Sequence, residues 1–271
     1  MFKIYSSYFY FALIVSLSGC KQGREVSHTS DNKSKNVDTV TLKEDRDEHS
    51  TEDLEAKHKV DPIEIDGYNN EKTWTQMQWN SMNYVWMGEQ PKDLDYSGRF
   101  KASWDTEKLY LLVEVRDDFL NPTLSDGKEN YWKGDYVEVF IDADRSGGDH
   151  KTSHQAFAYH VTTEGHAIDL DNQGNMIYFD DHIEVSRTIK NNVYTWEMAI
   201  NLFDKNFDEH SDENVPINLS AGRIIGFSIA YGDNDGNDKR ENFMGSKHSH
   251  GVNNDQGYTN ASVFGGLQLV D

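Results

Sequence analysis

The chain has 271 residues, a formal net charge of -21 at pH 7 and a single cysteine. One cysteine excludes an internal disulfide framework, and so negative a chain with no Lys/Arg cluster excludes nucleic acid as a partner. The length leaves room for one domain behind an N-terminal leader region.

Residues 1–20 hold one lysine, Lys3, then the apolar run at 8–15, and close on Leu17-Ser18-Gly19-Cys20. The run is too short to span a bilayer as a helix and has the length of a signal-peptide core. Leu-Ser-Gly-Cys is similar to the lipobox of bacterial lipoproteins. That resemblance implies a lipid on Cys20 and a membrane-anchored place at the cell envelope; the outer membrane or cell surface is expected ahead of the inner membrane, although Lys21-Gln22-Gly23-Arg24-Glu25 does not decide between them. An ordinary cleaved signal, or an anchor with an incidental cysteine, is the other reading. Residues 21–60 carry no aromatic residue and no sustained periodicity, so they bury too little apolar surface to offset the entropy of ordering. They read as a polar tether with a reach of about 35 Å.

From 61 to 271 strand patterns dominate, and all six tryptophans lie there. Trp74, Trp104 and Trp196 fall within strand or short-helix patterns, as core residues do. Leu109, Leu111, Val113 and Val115 stand two apart, the inward face of a strand. In the next pattern Tyr136, Glu138, Phe140 and Asp142 alternate with Val137, Val139 and Ile141, so the Glu138 carboxylate shares a face with aromatic rings, and Trp132 stands just ahead. Flat apolar surface beside a hydrogen-bonding carboxylate suits a pyranose, which has a C–H face and a hydroxyl rim. Further strands are expected over 156–161, 182–189, 193–200, 224–231 and 266–270, with short helical pieces near 70–74 and 202–207. Many short strands with Asp/Asn/Gly turns predict an all-β sandwich.

The order Pro62-Ile63-Glu64-Ile65-Asp66-Gly67, Glu71, Trp74, Phe100-Lys101-Ala102-Ser103-Trp104-Asp105, Leu109-Tyr110-Leu111-Leu112-Val113, the block from Trp132 to Asp142, Ile225-Gly226-Phe227 and Phe264-Gly265-Gly266-Leu267 resembles the family 9 carbohydrate-binding modules. The resemblance implies an immunoglobulin-like β-sandwich of antiparallel strands and non-catalytic binding of a mono-, oligo- or polysaccharide. It also implies frequent structural calcium and association with polysaccharide-degrading enzymes or uptake proteins. Residue by residue, it assigns Trp132 as one clamp aromatic and Glu138 as the carboxylate. Tyr258 stands where a second clamp Trp is usual, and His160 stands where an Arg is usual, as a weaker, titratable donor. Two aromatic plates at about 1 to 2 kcal/mol each, by analogy with stacking on nucleobases, imply micromolar to millimolar affinity.

Three acidic loops offer oxygen donors of the kind calcium takes: Asp142 and Asp144, Asp169 to Asn175, and Asp233 and Asp235. The middle one is an ordinary Asp/Asn/Gly turn by composition. Two other functions stay open at this point. Glu138 with Asp135 or Asp142 forms a candidate glycosidase pair, and His160 with Met244 forms a candidate haem-ligand pair of an electron-transfer sandwich.

Overall fold

A computed structural model of the chain describes residues 53–122, 130–246 and 254–271. The signal segment, Cys20 and the tether before residue 53 lie outside them. Among the described residues, no helix is long and apolar enough to cross a membrane.

Among the described residues fourteen strands follow one another, with a single four-residue α-helix, Lys72–Thr75, between the first two. They are β1 Leu54–His58, β2 Asn80–Ser81, β3 Tyr84–Met87, β4 Tyr96–Trp104, β5 Leu109–Asp117, β6 Tyr136–Asp142 and β7 Phe157–Thr162. The remainder are β8 Ala167–Leu170, β9 Met176–Tyr178, β10 Ile183–Lys190, β11 Val193–Ile200, β12 Ile224–Asp233, β13 Asn242–Gly245 and β14 Gly265–Val270. Hydrogen bonding runs in the order β10-β11-β5-β4-β1-β14-β12-β6-β7-β8-β9, with β13 added beside β12 and β3 beside β13.

This continuous sheet folds over on itself, because the two halves bury their faces against each other. Phe100 of β4 meets Phe227 of β12 with ring centroids 5.9 Å apart, and Trp196 of β11 meets Tyr231 of β12 at 6.0 Å. The main core draws Leu109, Leu111, Val113 and Val115 from one half and Val137, Val139 and Ile141 from the other, as the period-two spacing predicts. The result is the expected β-sandwich. Trp74, Trp104 and Trp196 are core residues.

Two expectations are corrected. The tether does not run to residue 60: Leu54–His58 is a strand that pairs with both β14 and β4. Both of those ladders are parallel, while the ladders between the other strands are antiparallel. The segment reads as polar because it is only five residues long and buries just Ala56 fully. No helix forms over 202–207. Phe203 and Phe207 instead pack their rings around His182, at 4.1 and 5.0 Å, so their spacing of four reflects a turn closed by the Phe207 N–H on the Asp204 carbonyl.

Candidate functional site

Strands β12, β6, β7, β8 and β9 turn one face to the core and the other outward. On the outer face the register sets Ala230, Glu138, His160, Ile168 and Tyr178 in one row across the five strands. Beneath the site, Tyr136, Phe140, Ala158, Ala230 and Phe243 form a second, smaller apolar cluster joined by Trp86, Met87 and Phe264. Glu138 therefore rises from an aromatic floor and is only 2% exposed.

The four residues singled out from the sequence, Trp132, Glu138, His160 and Tyr258, all line one cavity of about 790 Å³. That volume is in the usual range for small-molecule sites. The two aromatics form the open part: Trp132 is 42% and Tyr258 47% exposed, among the few large apolar side chains left in solvent.

Each is held by its own local device. Trp132 sits in a turn closed by the Lys133 N–H on the Asn130 carbonyl, just before buried Asp135. The Asp135 carboxylate accepts from the backbone N–H groups of Asn121 and Asn234, which pins the start of β6. Burial pushes Asp135 up to about 9, and the residue lies outside the cavity. Tyr258 ends the 3₁₀ turn Asn254–Tyr258. Gly257 lets that turn lie on the floor, since a Cβ there would come within 2.6 Å of the Phe140 ring.

His160 departs from the sequence expectation of a titratable donor. It is wedged against Tyr131 and Tyr136, with centroids at 4.8 and 4.5 Å. Burial first, and the Arg240 charge second, push it down to about 3. The imidazole is thus neutral near pH 7, and its 3.5 Å contact with Glu138 is a polar contact between neighbours rather than an ion pair.

The cavity's cations come from elsewhere in the sequence. Lys239 and Arg240, in the loop between β12 and β13, both line it. The Arg240 guanidinium lies 4.0 Å over Phe243 and donates to the Tyr136 hydroxyl. An isolated Lys-Arg pair inside an Asp/Asn-rich loop gave no sequence signal. Nor did Tyr131, Met87, Leu170, Met176 or Phe243, which read as strand or loop filler. Asp169 also lines the cavity. Its oxygens accept from the Ala158 and Leu170 N–H groups, while burial pushes it up to about 7. The loop that follows is the expected turn, with Asp171 accepting from the N–H groups of Gln173 and Asn175.

The two alternative pairs do not assemble. Met244 projects into the main core, whereas His160 is on the outer face, so the sheet separates them and they cannot share a haem iron. Asp135 and Asp142 lie outside the cavity that Glu138 lines.

The metal candidates divide as well. Asp233 and Asp235 join Asp117 with ligand oxygens all within 4.8 Å of one another, and Asp235 also meets Asp95 and Asp118. Burial, with the neighbouring carboxylates adding to it, pushes Asp117 up to about 6 and Asp233 up to about 7. Asp142 and Asp144 gain no third carboxylate or imidazole among the described residues. They accept instead from the Gly147 and Ser146 N–H groups of their own turn.

The family model for carbohydrate family 9 binding domain-like proteins matches residues 65–271. Endo-1,4-beta-xylanase A of Thermotoga neapolitana is 27% identical over 198 residues, which make up 73% of this chain and only 16% of that enzyme. Two structures of a family 9 carbohydrate-binding module from Caldicellulosiruptor kristjanssonii, one in complex with glucose and one with cellotriose, superpose with TM-scores of 0.56 and 0.57 at 19% identity. They cover 79% and 80% of this chain and 95% and 93% of their own. The family match runs from residue 65 to the last strand and takes in every residue of the cavity: the chain belongs to the carbohydrate family 9 binding domain-like family.

Proposed function

We propose that the cavity lined by Trp132, Glu138, His160 and Tyr258 is a sugar site and that the domain binds carbohydrate without cleaving it. The observation that carries this reading is the convergence of the two exposed aromatics and the buried Glu138 on one cavity, although they lie up to 126 positions apart. Trp132 and Tyr258 stack on pyranose C–H faces, and Glu138 accepts from hydroxyls. The donor role expected of His160 passes to Arg240, which is always charged and is held by Phe243 and Tyr136. The solved relatives are complexes with glucose and with cellotriose, and β-linked glucose or xylose oligosaccharides are the first class to test.

Two further assignments belong to the same reading. Cys20 carries a lipid that anchors the domain to the envelope membrane, where captured polysaccharide is passed to degrading enzymes or uptake proteins. Calcium binds at Asp117, Asp233 and Asp235, whose hard oxygen donors suit it, and neutralises part of the acidic charge.

A glycan array followed by affinity electrophoresis tests the site. Retention by a glycan, and its loss in Trp132→Ala with an unchanged melting temperature, is the expected outcome. Wild-type protein that binds no glycan with or without calcium would end the proposal.

A further inference from the structure

The inner wall of the cavity is more apolar than a bare sugar needs. Leu170 and Met176 are register partners across the β8–β9 hairpin, so their side chains lie side by side on one face. Both line the cavity, both are only half-buried, and neither belongs to the three apolar clusters found among the described residues. Met87 and Phe243 extend the same apolar lining.

Hydroxyls placed against these four side chains lose water and gain no partner, which weakens binding. A substituent that is apolar at its tip and carries an acceptor but no donor avoids that loss. The donors it needs are present, since Lys239 and Arg240 line the same cavity, and Lys239 makes no ion pair among the described residues. A carboxylate substituent fits less well, because Glu138 and Asp169 already place two acids there.

We propose that the site prefers an O-acetylated sugar, with the acetyl methyl against the Leu170–Met176 pair and its carbonyl accepting from Lys239 or Arg240. This rests on the sugar-binding reading and names the class of sugar. Thioether and leucine side chains make a soft contact for a methyl group, and a buried methyl with one added hydrogen bond makes the acetylated sugar bind about tenfold tighter.

Calorimetric titration of the full chain tests this with matched probes: xylotriose and cellotriose, each with and without a single O-acetyl group, and each with a glucuronic acid branch. The expected result is about a tenfold preference for an acetylated probe over its parent. That ratio should fall towards one in Leu170→Asn/Met176→Gln. Equal or weaker binding of the acetylated probes, or a preference for the acid-bearing ones, would overturn the acetyl preference and leave sugar binding intact. Failure of every probe to bind would overturn both. If the double variant does not fold, the wild-type ratio alone decides.

Discussion

At the scale of single residues, the site is organised by what burial does to charge. His160 and Glu138 face each other across β6 and β7, and an exposed pair of this kind would titrate near neutrality. Here the imidazole is enclosed by two tyrosines beside the Arg240 charge and stays neutral down to about pH 3. His160 therefore holds one protonation state from pH 5 to 8. Any pH dependence of sugar binding in that window should be the same in His160→Gln as in wild type, measured by titration calorimetry at pH 5, 6.5 and 8. A transition near pH 6.5 that vanishes in the variant would show that the imidazole titrates after all. Arg240 is the reverse case, a permanent charge fixed on Phe243. Arg240→Met keeps much of the ring contact and removes the donors. It should weaken binding by about 1.5 to 3 kcal/mol, the usual range for hydrogen bonds from a charged group.

At the scale of elements, two short pieces hold more than their length implies. β1 is the bridge between β4 and β14, and without it both strands present open edges. A chain beginning at Asp61 should therefore melt at least about 10 °C lower than one beginning at residue 50, given about 2 to 4 °C per kcal/mol for a domain of this size. Equal melting temperatures by scanning calorimetry would refute the bridging role. The second piece is the loop before the helix Lys72–Thr75. Its Asp66 and Gly67 N–H groups and the Trp74 indole all donate to buried Glu197 of β11. Burial pushes Glu197 up from 4.5 to about 7, so the fold favours its protonated form more than the unfolded chain does. That contribution is complete below about pH 4.5 and is lost as pH rises through about 7. The melting temperature should fall between pH 5 and 8, and Glu197→Gln should flatten the fall; an identical slope in the variant would exclude Glu197 as its source. These elements also mark where the sequence stops being readable. The long strands β5, β6, β11 and β12 are visible because each turns one alternating face to the main core. β1, β8 and β9 are three to five residues long, too short for periodicity to stand out from composition. In the candidate site, Trp132, Glu138, His160 and Tyr258 are named from strand order and resemblance to family motifs, and the fold brings all four to one cavity. Arg240, Leu170 and Met176 were not, because only the fold carries the β12–β13 loop and the β8–β9 hairpin to the same cavity.

At the scale of the whole molecule, the charge of -21 opposes compaction, and part of it is concentrated where the fold tolerates it least. Asp117 and Asp233 are buried at 1% and 5% exposure, and with Asp235 they converge within 4.8 Å. Asp117 ends β5 and Asp233 ends β12, so repulsion there acts between the two halves of the sandwich, near the stacked Tyr96 and Tyr231 rings. The calcium proposed for this point would stabilise the folded form by mass action, because the unfolded chain does not hold the three carboxylates together. With a dissociation constant of about 10 to 100 µM, 1 mM calcium adds about 1.4 to 2.7 kcal/mol, or roughly 3 to 10 °C in melting temperature. Scanning calorimetry in chelator and in 1 mM calcium, at fixed ionic strength, measures the difference. Asp233→Asn should remove most of the calcium increment while raising the melting temperature in chelator, since it deletes one of the repelling charges. Asp144→Asn should leave the increment in place, because that residue belongs to a turn with no third ligand among the described residues. A calcium increment that survives Asp233→Asn and disappears in Asp144→Asn would move the site to the β6 end of the sheet.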